Sequence, residues 1–195
     1  MPTPLLIRVF FWIWLIAAIT AGRMFWLQRL PLPAVQGILL GLTLLLILAY
    51  RIVSGFRRWV DRLDLRALVL LHITRFVGFY FLVLYHRGEL PYAFAVPGGI
   101  GDIIVAALAV VVGFLPLSET SRLRAITIWN VIGFIDILLV VFTAARIQMS
   151  GGLGLLPLTY LPLSLLPTFL VPLIIASHLA IFARVKRTQA TLARR

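Results

Sequence analysis

The chain has 195 residues, of which 62% are hydrophobic, and it carries a net charge of +12. This apolar fraction exceeds the roughly 45–50% of a soluble domain, so the composition indicates an integral membrane protein. Because the chain has no cysteine, disulfide bonds, iron–sulfur clusters and thiol catalysis are excluded.

Six apolar segments are long enough to cross a membrane, for which a helix needs about 20 residues. They cover Leu5–Ala21, Ala34–Val53, Ala67–His86, Tyr92–Leu115, Ala125–Ala145 and Leu163–Ala183. The connections are too short for a soluble domain, so we predict an all-α fold in which residues 1–195 form one bundle of six transmembrane helices. We interpret the first segment as an uncleaved helix rather than a signal peptide, because it lacks a clear small-x-small cleavage site.

The connection between the second and third spans has an amphipathic pattern. Ser54 and Gly55 interrupt the apolar run, and apolar residues then recur at helical spacing among arginines: Phe56, Trp59, Val60 and Leu63. Residues 54–66 therefore form either a short helix on the cytoplasmic leaflet or a basic loop that only determines topology. The sequence does not decide between them.

Positive charges are concentrated in alternate connections. Arginines crowd residues 51–66 and the tail at 184–195, and two more lie between the fourth and fifth spans, whereas the remaining connections hold few. The positive-inside rule then places both termini in the cytoplasm. The basic excess indicates attraction to anionic lipid at the cytoplasmic face and not nucleic-acid binding. The small size, the preference for arginine over lysine and the lack of eukaryotic sorting signals favour a bacterial inner (plasma) membrane.

The fourth span contains an unusual run, Pro97-Gly98-Gly99-Ile100-Gly101-Asp102. Proline removes a backbone donor and three glycines weaken a helix, so the run is compatible with a locally unwound span of the kind that transporters use for ion sites. It is equally compatible with a glycine-lined helix that packs closely on a neighbour.

The last four spans show the signs of a parallel repeat. Spans three and five contain a polar residue three positions before glycine, at Arg75 and Asn130. Spans four and six contain Phe-x-Val-Pro, followed five or six positions later by an ionisable residue, Asp102 or His178. The pattern indicates either a duplication of the two hairpins or a chance match, which is common among apolar segments.

Polar residues inside apolar spans are the best indication of function, because a charge in hydrocarbon costs at least about 2.5–3.5 kcal/mol. The chain has six such residues: His72, Arg75, Asp102, Asn130, Asp136 and His178. At 1.5 Å per residue, the two histidines lie at the same depth, and Arg75 can meet both aspartates near the midplane. We predict a polar site that binds or translocates a small solute, proton or ion, with Arg75, Asp102, Asn130, Asp136 and His178 as its members.

Other interpretations of these residues stay open. Arg75 with one aspartate is also a plausible structural ion pair, although the second aspartate then needs a proton or another cation. His72 and His178 at matched depth also suggest axial ligands of haem b, or a transition-metal site with an aspartate. A third interpretation is a non-catalytic accessory subunit of a membrane complex, or a homo-oligomer. No spacing indicates a catalytic nucleophile, so we assign no catalytic residue and expect no enzyme.

Several strings together resemble a motif set of small multi-spanning bacterial inner-membrane proteins of uncharacterised function. They are Leu90-Pro91 with Phe94-Ala95-x-Pro97-x-Gly99-x-Gly101-Asp102, Trp129-Asn130-x-x-Gly133-x-x-Asp136, Pro167-x-Phe169-x-Val171-Pro172 with His178, and Arg75-x-x-Gly78. The resemblance covers about residues 72–183 and implies no activity. Gly98 stands where the pattern has alanine, and His72 is outside the pattern, which weighs against haem.

Overall fold

The computed structural model describes residues 3–151 and 153–192, and within these ranges the chain is helical with no strand. Six helical segments are long and apolar enough to cross a membrane, which confirms the all-α, six-span prediction. We number them spans one to six: Leu5–Arg23, Pro33–Ile52, Leu65–His86, Tyr92–Phe114, Glu119–Met149 and Leu166–Gln189.

Eight α-helices build these spans and one connection. They are α1 (Leu5–Arg23), α2 (Leu32–Ile52), α3 (Ser54–Arg62), α4 (Leu65–Leu70), α5 (Gly78–His86), α6 (Tyr92–Phe114), α7 (Glu119–Met149) and α8 (Val171–Leu192). Three short 3₁₀ segments and one π-helical turn complete the fold: Leu27–Arg29, Leu71–Val77, Leu153–Thr159 and Leu166–Leu170. The irregular segments inside membrane spans are thus in spans three and six.

The fifth span extends beyond its predicted ends. Ser118 caps α7, because its hydroxyl accepts a hydrogen bond from the backbone N–H of Ser121, and the helix then runs for 31 residues. At 1.5 Å per residue this is about 46 Å, longer than the roughly 30 Å of hydrocarbon. Similarly, α8 continues past the predicted end at Ala183, so part of the basic tail is helical. Arg194 and Arg195 lie outside the described residues. A prediction from hydropathy ends where polar residues begin, although a capped helix continues through them.

Span four is a continuous α-helix through Pro97 and Asp102, so of the two interpretations of its proline–glycine run the structure has the closely packed helix and not the unwound span. A glycine of span four allows this close packing. A Cβ atom on Gly99 would lie 2.8 Å from the carbonyl oxygen of Gly78 in span three, and a Cβ atom on Gly78 would overlap the carbonyl oxygen of Gly99. Spans three and four therefore approach each other backbone to backbone. A Cβ atom on Gly98 would lie 3.4 Å from Val140, an ordinary contact, so the alanine of the resembled pattern would also fit.

Span six is the central element of the bundle and span one the most peripheral. Within their apolar windows, 61% of span six and 11% of span one are buried. Span one is nevertheless attached to the centre, because the indole Nε1 of Trp14 donates a hydrogen bond to the backbone carbonyl of Thr168 at 2.8 Å. The site residues thus lie on the four innermost spans, with spans one and two outside them.

The predicted amphipathic segment is a helix, α3, held against the C-terminal half of α8. Asp61 accepts hydrogen bonds from both Nη atoms of Arg187 at 2.8 Å, and the hydroxyl of Tyr50 donates to the same carboxylate. These charge-assisted bonds, those from Arg187 above all, hold the pKa of Asp61 below its usual range. Its position on the membrane surface stays a prediction.

Candidate functional site

One arginine binds two aspartates in the middle of the bundle. The Nε atom of Arg75 donates to Asp102 Oδ1 at 2.6 Å, and its Nη2 atom forms an ion pair with Asp136. Its Nη1 atom donates to the backbone carbonyl of Gly133 at 3.0 Å. We call Arg75, Asp102 and Asp136 the charged centre. It joins spans three, four and five through a single guanidinium group.

Irregular backbone and a glycine make room for this arrangement. Arg75 lies in the 3₁₀ segment of span three, where residues three apart are stacked, so His72 points the same way. Span four presents Gly101 to the Asp136 carboxylate, and a Cβ atom at Gly101 would overlap that carboxylate. A stretch of 3₁₀ helix within a longer helix often marks a functional hinge or a strained sequence.

The charged centre has an excess of acidic groups. One guanidinium faces two carboxylates, so with both ionised its net charge is −1. The side chain of Arg75 is 1% exposed, that of Asp102 6% and that of Asp136 20%. A buried charge without full compensation is costly, and a carboxylate relieves it by binding a proton or a cation. The second aspartate is therefore the chemical reason to regard the centre as more than an ion pair.

A second polar group lies beside the charged centre and consists of His72 and His178, which we call the histidine pair. Both are completely buried, and their ring centres are 4.2 Å apart. The side-chain amide of Asn130 brackets His178: it donates to the backbone carbonyl of His178 at 3.1 Å, and its oxygen lies 2.8 Å from the ring Nδ1 atom. Trp129 packs on the His72 ring at 4.9 Å.

The hydrogen bonds assign the tautomer of each neutral histidine. Because the Asn130 oxygen accepts, Nδ1 of His178 carries the hydrogen, and its buried Nε2 atom has a lone pair with no protein partner. The hydroxyl of Ser177 donates to the carbonyl of Ile174 and so accepts from Nε2 of His72. The Nδ1 atom of His72 is then also a buried acceptor with no protein partner. Each histidine thus offers one basic nitrogen for a proton or a water molecule.

Gly133 connects the two groups. Its carbonyl accepts from Arg75, and a Cβ atom on it would lie 2.8 Å from Cε1 of His178 and 2.9 Å from Val105. Only glycine lets span five approach the histidine ring this closely. The charged centre and the histidine pair therefore form one continuous polar region across spans three to six.

The arrangement of the histidine pair does not fit a haem group. Two imidazoles that bind one iron from opposite sides, at bonds of about 2 Å, have ring centres about 6 Å apart with the porphyrin between them. The ring centres of His72 and His178 are 4.2 Å apart, too close for a porphyrin to lie between the two rings. Within residues 3–151 and 153–192, no group of three or more histidine, cysteine, aspartate or glutamate residues could hold a metal ion. The haem and transition-metal alternatives therefore gain no support.

A small cavity adjoins the charged centre on the side away from α3. It provides about 50 Å³ for the centres of water-sized molecules, enough for a few waters. Arg75 and Asp102 line it, and so do Gln36 and Gln148, whose buried side-chain oxygens have no protein partner. Most of the lining is apolar, but buried oxygens of this kind are usually hydrated, so we infer that water occupies the side of the cavity next to Asp102.

All six polar residues singled out from the sequence meet in this region, as their depths predicted. The sequence analysis missed Ser177, Gln36 and Gln148. The two glutamines carry the same signal as the six, a polar side chain in an apolar span, but they lie near span ends, where amides are common. The contact of Ser177 with His72 depends on the 3₁₀ segment of span three, for which no sequence signal exists.

The profile of one family, described as a domain of unknown function (DUF8737), matches residues 32–186. The match includes spans two to five, span six up to residue 186, and every residue of the polar region. No curated protein and no solved structure matches the chain.

Proposed function

The chain belongs to the DUF8737 family, whose description gives no function, and we propose that it binds a proton or a small cation at the charged centre and translocates it across the membrane, alone or with a small solute. The observation that carries this proposal is the sharing of one buried arginine by two carboxylates. Such ionisable groups inside membrane spans are typical of ion pathways and proton relays.

The two carboxylates have different surroundings, which favours exchange over a permanent lock. Asp102 is buried and lines the small cavity next to the charged centre. Asp136 lies on the other side of Arg75, where its side chain is 20% exposed beside Gly101. A proton or cation that binds one carboxylate frees Arg75 to pair fully with the other. The centre thus has two arrangements of similar chemistry, which is what a carrier site requires.

The histidine pair extends the polar region towards the end of the bundle that carries α3. His178 adjoins Gly133, His72 contacts His178, and Ser177 accepts from His72 at 2.9 Å. The unpartnered nitrogens of both rings are proton acceptors in a dry interior. Because histidine acts as a proton shuttle in many sites, the histidine pair supports a proton as the species that is moved.

Proton flux into liposomes tests the proposal. We expect purified protein in vesicles with an internal pH-sensitive dye to carry protons along a pH gradient, with potassium and an ionophore holding the membrane potential at zero. Asp102→Asn and Asp136→Asn keep the side-chain shape and remove the charge, so each should reduce flux to the rate of protein-free vesicles. Glu89→Gln is the matched control, because it removes a carboxylate that is exposed outside the spans.

Two results would contradict the proposal. If both asparagine variants fold as monodisperse protein and transport like wild type, the charged centre does not carry the ion. If wild-type vesicles show no flux of protons, sodium or potassium, the centre is a structural ion pair that fixes the positions of spans three, four and five.

A further inference from the structure

A second and larger pocket lies at the end of the bundle that carries α3. Its volume is about 660 Å³, within the range of small-molecule binding pockets. Spans one, two, three and six and helix α3 all contribute to its wall. Five elements of the chain therefore surround a space that none of their described side chains fills.

The wall of this pocket is apolar along its length. Leu46, Leu68 and Leu173 line it, and Trp59 and Val60 of α3 close it from the side of the short helix. Along span six the lining reaches from Arg187 back to Leu173, fourteen residues or about 21 Å. This length is about two thirds of the roughly 30 Å hydrocarbon core, so the pocket extends through one leaflet and slightly beyond it.

The mouth of the pocket is basic. Arg51 and Arg57 line it and are exposed, and Arg187 and the hydroxyl of Tyr50 lie at the same level, where they hold Asp61. The apolar wall and the cationic mouth thus follow one another along the direction that is normal to the membrane. Such an order matches a molecule with a hydrocarbon chain and a negatively charged head.

We propose that this pocket binds one acyl chain of an anionic phospholipid from the leaflet at the α3 end, with its phosphate at Arg51 and Arg57. Guanidinium groups bind phosphate oxygens in two-pronged geometry, and each basic residue near a membrane surface adds to the attraction for anionic lipid. The basic mouth distinguishes this site from ordinary lipid contact around the bundle, which needs only an apolar surface.

The bound chain would pass Ser177, the residue that accepts from His72, on its way to the far end of the pocket at Leu173. A lipid in the pocket would therefore separate the histidine pair from the α3 end. The cavity at Asp102 lies on the opposite side of the same region, and the lipid pocket does not share its lining. The lipid site does not depend on the proposed translocation, because it follows from the pocket alone.

Lipid counting by native mass spectrometry tests the proposal on the full-length protein. After extensive washing in mild detergent, the protein is titrated with phosphatidylglycerol or with phosphatidylcholine that has the same chains. We expect one saturable phosphatidylglycerol, bound more tightly than phosphatidylcholine. The double variant Arg51→Gln/Arg57→Gln should weaken phosphatidylglycerol binding about 30-fold, from roughly one basic-residue contribution per arginine. Phosphatidylcholine binding should weaken less, because the quaternary ammonium of its head compensates the phosphate charge.

Matched controls separate the pocket from the rest of the surface. Ala176→Phe places a ring inside the pocket and should abolish the first lipid, whereas Ala107→Phe adds the same ring on the exposed face of span four and should retain it. Arg23→Gln/Arg146→Gln removes two exposed arginines at the opposite end and should leave affinity unchanged. Equal affinity for both lipids would overturn the proposal, and so would lipid binding that neither Ala176→Phe nor Arg51→Gln/Arg57→Gln changes. If Ala176→Phe fails to fold, the arginine variant alone tests the proposal.

Discussion

Replacing Arg75 should destabilise the protein more than any other single change in the charged centre. Arg75→Gln removes the only cation between two carboxylates and deletes bonds to Asp102, Asp136 and the Gly133 carbonyl. Removing one partner of a buried ion pair costs about 3–5 kcal/mol, because the remaining charge is left without compensation. We expect a loss of free energy of unfolding in that range, measured by equilibrium unfolding of the protein in mixed detergent micelles with increasing dodecyl sulfate.

The cause of that loss can be isolated by removing the acids as well. In the triple variant Arg75→Gln/Asp102→Asn/Asp136→Asn the centre carries no charge, so stability should return to within about 1 kcal/mol of wild type. Arg23→Gln, which changes an exposed arginine, serves as the control. The reasoning would be refuted if Arg75→Gln unfolded like this control, or if the triple variant were no more stable than the single one.

Two further predictions concern packing and charge elsewhere. Gly133→Ala should lower the free energy of unfolding by about 1–3 kcal/mol, because its new methyl group would lie within 2.9 Å of side chains from spans four and six. Gly98→Ala meets only an ordinary contact, so it should raise the free energy of unfolding by up to about 1 kcal/mol. Thermal unfolding of both variants measures the difference, and equal midpoints would contradict the packing. The depressed pKa of Asp61, caused first by its hydrogen bonds from Arg187, means that its stabilising contribution is present above the unfolded pKa of about 3.9 and is lost as pH falls through the lower folded value. Unfolding midpoints between pH 3 and 7 should therefore converge for wild type and Asp61→Asn at the acidic end, and parallel curves would disprove the effect.

Hydropathy was sufficient to predict the six spans, because burial in hydrocarbon selects apolar runs of a fixed length whatever the details of packing. The predicted positions of the helix ends were less accurate, as α7 illustrates. Its first residues are polar and lie beyond any hydrocarbon, but the Ser118 cap and continued backbone bonding extend the helix through them.

The meeting of the site residues was also predictable, since depth follows from the rise per residue and polar groups seek each other in an apolar interior. The backbone irregularities were not. The proline and glycines of span four left open whether that span is unwound or closely packed, and its tight contact with span three accompanies a continuous helix. The 3₁₀ segment Leu71–Val77 contains neither proline nor glycine, so only tertiary contacts can account for it.

The contacts give the predicted repeat of the two hairpins a physical basis. In the first hairpin, Arg75 donates a hydrogen bond to Asp102. Gly78 packs on the same aspartate, because a Cβ atom added to Gly78 would lie 3.0 Å from the Cβ atom of Asp102. In the second hairpin, the side chain of Asn130 bonds to His178, and Gly133 packs on the same histidine. A polar residue and a glycine three positions later thus contact one ionisable residue of the partner helix in both hairpins.

One acidic residue departs from this correspondence. Asp136 lies six positions after Asn130, and the residue six positions after Arg75 is the buried Phe81. The repeated contacts alone would give one balanced ion pair in the first hairpin and one neutral pair in the second. Asp136 adds the second carboxylate to Arg75 and thereby the excess charge on which the proposed ion binding depends. An Asp136→Ala change removes that carboxylate without adding volume beside Gly101, so it should leave a folded bundle with a single ion pair and no proton flux in the liposome assay.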